Sequence, residues 1–117
     1  MEKTTQFHGQ LRETIDKYIN EVYDTTVKFP KDEIFGVTSQ LRRAALSVML
    51  NYVEGFARKR PLVYKNFLEI AYGSLKESKY LIYFSFKRKY LDQKVYKDLN
   101  DSGERIGAML WGIISKL

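Results

Sequence analysis

The sequence predicts an all-α protein, an antiparallel up-and-down four-helix bundle, and three observations carry that prediction. Apolar residues recur at spacings of three, four and seven along most of the chain, the period of helices that bury one stripe. The breaks between these stretches are short, and Pro30, Gly36 and Pro61 stand in them. No stretch shows the strict alternation of a strand. Short connections force consecutive helices to run antiparallel. With 117 residues, of which 44% are hydrophobic and 29% charged, the chain can bury one core but hardly two, so a single domain over residues 1–117 is expected.

The first helix is expected over residues 5–28, where Phe7, Leu11, Ile15, Tyr18 and Val22 form one stripe that Phe29 extends. The run Phe29-Pro30-Lys31-Asp32-Glu33-Ile34-Phe35-Gly36 ends it, because proline disfavours helix at the residue before it and Gly36 suits a turn. Thr38 or Ser39 is the expected N-cap of a second helix reaching residue 58. Pro61 then opens a third, over residues 61–89, since its missing N–H is no loss in a first turn. Val63, Phe67, Ile70, Ala71, Leu75, Leu81, Ile82 and Phe86 give that helix a broad apolar face. Asp92 is the N-cap of the fourth, whose stripe is Val95, Leu99, Ile106, Leu110, Ile113 and Leu117. Gly103 and Gly107 beside that stripe cost about 1 kcal/mol each in helix propensity and imply close helix contact.

The second helix has an inverted polarity. Gln40, Arg43, Ser47, Asn51, Glu54 and Arg58 fall on one narrow strip, and apolar side chains occupy nearly everything else. Such a helix is expected to be enclosed almost all the way round, partly by sister chains, with its polar seam lining a groove or forming an internal network. Arg43, Ser47 and Asn51 have Ser74, Glu77 and Ser78 as potential partners on the third helix. On that helix Tyr72, Tyr80, Tyr83 and Phe84 fall on the side that Lys65, Asn66, Glu69 and Lys76 mark as solvent. Three readings stay open for them: wet surface tyrosines, burial against another copy, and stacking on bases.

Lysine and arginine outnumber acidic residues by 20 to 14, a net charge of +6 that favours polyanionic partners. The cations cluster at Arg58, Lys59, Arg60 and Lys65, and again at Lys87, Arg88 and Lys89 with Lys94 and Lys97, at opposite ends of an up-and-down bundle. A ring of subunits would repeat each cluster into a basic circle; taken singly, each also reads as a solvated helix end. Enzymatic chemistry lacks material. His8 is the only histidine, expected near a frayed terminus with no arginine before it, and the glycines around Glu104 lack the lysine of a phosphate loop. Glu54 and Glu77, the carboxylates expected to face inward, lack the Glu-x-x-His spacing of bundle metal sites. No cysteine is present, so disulfides and thiolate metal sites are excluded. A protein with no cofactor, no metal and no catalytic residues is expected. The polar segment from Met1 to Gln6 has no signal-peptide core, and no uncharged run approaches the ~18 apolar residues of a membrane span, so a cytoplasmic location is expected.

The segments Phe29-Pro30-Lys31-Asp32-Glu33, Thr38-Ser39-Gln40-Leu41-Arg42-Arg43-Ala44-Ala45-Leu46-Ser47, Asn51-Tyr52-Val53-Glu54-Gly55-Phe56 and Gly73-Ser74-Leu75-Lys76-Glu77 together resemble the bacterial four helix bundle protein family, also called the 23S rRNA intervening-sequence protein family. The resemblance covers nearly the whole chain. It implies a subunit of a ring-like homopentamer, similar in architecture to the accessory protein of diversity-generating retroelements, which binds nucleic acid and a reverse transcriptase. It implies no enzymatic activity. The family-motif positions it marks are Gln40, Arg42, Arg43, Ser47, Asn51, Glu54, Gly55, Arg58, Gly73, Ser74 and Glu77. Two departures stand out: Val48-Met49-Leu50 replaces a stretch that often holds proline, and Tyr52-Val53 replaces Ile-Ala, so a straighter second helix is expected. The expected function is a non-catalytic homo-oligomeric scaffold that binds RNA or DNA through Arg58, Lys59, Arg60, Lys65, Lys87, Arg88 and Lys89. The alternative is a protein-interaction module that docks a partner enzyme without touching nucleic acid.

Overall fold

A computed structural model describes residues 2–117 and shows four helices: α1 (Glu2–Thr26), α2 (Val37–Phe56), α3 (Pro61–Lys87) and α4 (Gln93–Ile114), with one 3-10 turn (Lys31–Glu33) between α1 and α2. Each helix packs against its two neighbours around a rod of 45 × 24 × 19 Å, and the backbones of the diagonal pairs α1/α3 and α2/α4 stay apart. This is the expected antiparallel four-helix bundle. Leu11, Ile15, Tyr18 and Val22 of α1, Leu41, Val48 and Tyr52 of α2, Leu68 and Leu75 of α3, and Leu99, Ile106 and Leu110 of α4 are sealed from solvent in one core. A phenol inside such a core needs a partner, and the Tyr18 hydroxyl meets the Ser78 hydroxyl at 2.7 Å, which in turn donates to the Leu75 carbonyl at 2.8 Å. Burial pushes the Tyr18 phenol well above its ordinary pKa.

The closest helix pair is α2 and α3. Small residues make that approach: a Cβ on Gly55 would lie 2.7 Å from the Cβ of Phe67, and Ser47 opposes Ser74. Gly103 and Gly107 do the same for α4, where added Cβ atoms would sit 3.2 Å from the Lys79 stem and 3.4 Å from Leu75. The packing role expected of these two glycines holds.

Helix ends follow the local chemistry, with one exception. The Asp92 carboxylate accepts the Val95 N–H at 2.9 Å and caps α4 as expected. At α2, neither Thr38 nor Ser39 is the cap. The helix starts at Val37 behind Gly36, and the Glu33 carboxylate accepts the Val37 N–H at 3.3 Å instead. Thr38 is thereby already inside the first turn, and its buried hydroxyl has no partner. α1 ends two residues earlier than expected, at Thr26, whose hydroxyl donates to the Val22 carbonyl at 2.8 Å. α3 ends at Lys87 rather than residue 89, because Lys89 turns left-handed (φ 66°). The N–H groups of Tyr90 and Lys89 then donate to the carbonyls of Ser85 and Phe86, both at 2.9 Å, the paired bonds of a Schellman close with lysine where glycine is usual.

The enclosure expected of α2 is not found. Leu41, Ala44, Ala45, Val48 and Tyr52 are buried, but Leu46 is 39% exposed, Leu50 58%, and Val53, Phe56 and Ala57 are exposed as well. Its neighbours α1 and α3 cover two sides, and no element of the same chain lies over the third. On α3, Tyr80, Tyr83 and Phe84 stand on the outside as expected, while Tyr72 is half-buried against Trp111, with ring centroids 5.8 Å apart.

Candidate nucleic-acid interface

The α2–α3 turn presents cations at the start of a 27-residue helix. Arg60 is the residue before the first turn and Pro61 has no N–H, so the free donors at this helix end are the amides of Leu62 and Val63. No acidic residue lies in the first turn. Those amides and the helix dipole place partial positive charge where Lys59 and Arg60 stand exposed, and neither side chain makes a hydrogen bond or an ion pair among the described residues. Arg58 is more committed: its Nη2 donates to Glu54 Oε1 at 2.7 Å, and its guanidinium lies 5.3 Å over the Phe67 ring. Together with Val63 these three residues line an open recess of about 280 Å³. Lys65 is half-buried one turn further along.

At the opposite end Lys87, Arg88 and Lys89 are exposed, but the setting differs. They surround a helix C-terminus, where cations balance the negative end of the helix dipole. The Arg88 guanidinium sits 5.9 Å over Tyr90, whose hydroxyl donates to Glu33 at 2.9 Å, and Asp92 joins Lys87 and Lys89 around the neighbouring recess. Lys94 and Lys97 do not add free charge to this end, because each is paired along α4, with Asp98 and Asp101, at 2.9 Å.

Beside the Glu54–Arg58 pair and the glycines Gly55 and Gly73, the family-motif residues separate into three groups. Ser47, Asn51 and Ser74 come together between α2 and α3: the two hydroxyls meet at 2.9 Å, and Asn51 Nδ2 donates to both the Ser47 hydroxyl and its carbonyl at 2.9 Å. Arg42 works elsewhere, holding the end of α1 through Thr26 Oγ1 at 2.7 Å and the Tyr23 carbonyl at 3.3 Å, with its guanidinium 4.8 Å over the Tyr23 ring. Gln40, Arg43 and Glu77 are exposed and make no side-chain hydrogen bond among the described residues. Glu54 and Glu77 therefore do not face inward: the stripe closing on α3 runs through Ser47 and Gly55, which turns both carboxylates to solvent. Ser78 bonds Tyr18 rather than the seam.

His8 is not at a frayed terminus. It lies inside α1 with Nδ1 against the Tyr52 hydroxyl at 2.5 Å, stacked on the Tyr52 ring and edge-on to Phe56. Burial, helped by the Arg12 charge, lowers its pKa. Burial, with Tyr64 adding to it and Arg12 opposing, pushes Tyr52 up to about 12. The sequence carried a weak signal for this cluster, since His8 sits one residue beyond the stripe position Phe7.

Residues 11–112 match the family model described as 23S rRNA-intervening sequence protein. The chain belongs to that family. A crystal structure of a protein of unknown function from the S23 ribosomal protein family of Bacteroides thetaiotaomicron superposes with a TM-score of 0.80, at 20% identity over 89% of this chain and 97% of the other. That likeness carries the fold alone. No curated protein matches the chain at a significant level. Among the described residues no three histidine, cysteine, aspartate or glutamate side chains gather as a metal site, and no helix is long and apolar enough to cross a membrane.

Proposed function

We propose that this member of the family is a non-catalytic, homo-oligomeric scaffold that binds RNA or DNA through phosphate contacts without reading base sequence. The carrying observation is the α2–α3 turn, where unpaired Lys59 and Arg60 surround the positive end of α3 with no acid in its first turn. Phosphate is the ligand class that suits free amides, a helix dipole and flexible cations at one place. Arg58 and Lys65 border this patch, and Lys87, Arg88 and Lys89 form a second, weaker one. Self-association supports the same reading, because the uncovered apolar side of α2 gives copies a reason to meet and repetition strengthens the field of each patch.

Electrophoretic shift titrations of single-stranded RNA and duplex DNA at roughly 50 and 200 mM salt test the proposal. Two phosphate contacts are expected to cost about tenfold in affinity between those conditions, and more contacts from a ring would steepen the fall. Absence of a shift at the lower salt would end it.

A further inference from the structure

Phe35 is 94% exposed at the tip of the α1–α2 connection, and Ile34 beside it is 56% exposed. The segment holding them is firmly built. Phe29 is buried below it with its ring 5.4 Å from Tyr90, the Glu33 carboxylate accepts both the Tyr90 hydroxyl and the Val37 N–H, and the Gly36 N–H donates to the Glu33 carbonyl at 2.9 Å. A benzyl ring held in water by a fixed backbone forgoes the benefit of burial, which makes Phe35 a knob awaiting a hole.

The matching surface lies on the side of the same chain. Leu46, Leu50 and Val53 repeat along the outer stripe of α2, all exposed. The pairings of Ser47 with Ser74 and of Gly55 with Phe67 set the α2/α3 register and bring Ile70, also exposed, level with Leu50. One turn on, Gly73 lies open: a Cβ there would meet nothing within 4 Å, so no packing inside the protomer accounts for a glycine in a helix interior.

Resting on the self-association reading above, we propose that Phe35 and Ile34 of one copy dock on the Leu46, Leu50 and Ile70 face of the next. The knob is at the end of the rod and the face is on its flank, so the contact is heterologous and propagates head to tail, the geometry that closes rings. A two-fold pairing of α2 faces would cover the flank and leave Phe35 in water. Charge agrees with the head-to-tail pairing. Lys28 and Lys31 beside the knob and Glu69 and Glu77 beside the face are all exposed and make no ion pair among the described residues. A lipid surface would accept a lysine-flanked phenylalanine but would leave the α2 flank bare.

The chain has no cysteine, so single introduced thiols report contacts without background. Lys31→Cys and Glu69→Cys proteins, whose thiols flank the knob and the face and leave both intact, are confirmed as folded by circular dichroism and oxidised separately and as a mixture, beside light scattering of the unaltered protein. The expected result is an oligomer in which covalent dimers form in the mixture and not in either protein alone. Dimers from E69C alone would show two-fold pairing of the flank and overturn the proposal, as would an oligomer with no cross-link in the mixture. A monomeric unaltered protein would overturn the self-association reading itself, an outcome distinct from a wrong pairing of surfaces. As a second variant, Phe35→Ser is expected to shift the oligomer toward monomer while leaving helicity unchanged; an undiminished oligomer would also refute the knob.

Discussion

The two ends of α3 carry nearly the same cations in opposite electrical settings. Arg58, Lys59 and Arg60 precede a helix start, where free amides and the dipole add to their field, and no acid stands in the first turn. Lys87, Arg88 and Lys89 stand at a helix end, where the negative end of the dipole subtracts from their field and Asp92 is close by. Equal formal charge therefore does not mean equal affinity for an anion. In the first cluster the helix field adds to the exposed Lys59 and Arg60, whereas in the second it opposes the exposed Lys87 and Lys89, and Arg88 lies over Tyr90. The helix places them about 40 Å apart, from 27 residues at 1.5 Å each, so the two operate independently within one protomer.

The largest expected effect separates them directly. Reversing Lys59 and Arg60 to glutamate removes two phosphate contacts, which at 0.15 M salt is expected to weaken nucleic-acid binding about 30-fold and flatten the salt dependence by about two. Reversing Lys87 and Lys89 is expected to cost clearly less. Filter binding over a salt series measures both. Equal losses would show that helix polarity contributes nothing here, and a larger loss at the second end would reverse the ranking.

Lys89 supplies the next, smaller effect. A non-glycine residue in the left-handed region costs roughly 1 kcal/mol or more, and Lys89 at φ 66° bears that cost in closing α3. Lys89→Gly is expected to stabilise the protein by about 1 kcal/mol in urea unfolding. Nucleic-acid affinity is expected to fall only slightly, by much less than in the Lys59/Arg60 reversal, since one cation of the weaker patch is lost. A loss comparable to the Lys59/Arg60 reversal would mean that the strain is retained for a phosphate contact, and that the second patch is the principal one.

These contrasts were legible in the sequence to different depths. Helix order, the Asp92 cap, the proline start of α3 and the packing glycines of α4 all follow from local rules, because each depends on residues within a turn or two. The Ser47–Ser74 contact was accessible through helical periodicity plus an antiparallel partner. The outward turn of Glu54 and Glu77 was not, since it depends on where Gly55 lets the helices touch. Nor was the bare flank of α2: apolar periodicity shows which residues seek burial but not whether one chain supplies the cover. Phe35 escaped notice for a related reason, as a turn residue is judged by backbone preference and not by what its ring would meet.

The only histidine adds a final distinction, because it sits at the Arg60 end and nothing comparable exists at the other. His8 faces Tyr52 and Phe56 from α2 and Phe7 and Arg12 from its own helix, with the partnerless buried hydroxyl of Tyr64 on α3 behind Phe56. Tyr52, with its pKa pushed up to about 12, stays protonated, and its hydroxyl meets Nδ1 of His8 as donor or acceptor according to the imidazole tautomer. Protonating His8 places a charge in this partly buried aromatic site and sets it beside Arg12, while Nδ1 becomes the donor to the Tyr52 oxygen. Its folded-state pKa is lowered below 6.5, so the unfolded chain takes up the proton more readily. Stability from this contact is complete above the unfolded value and declines as pH falls from 6.5 toward the lowered folded one. Amide exchange in the first turns of α1 is expected to quicken between pH 7.5 and 5.5, while the α3–α4 turn keeps its protection once intrinsic rates are corrected. His8→Phe is expected to remove that dependence. If the variant retains it, the acid sensitivity arises elsewhere, and the two ends of the bundle do not differ in this respect.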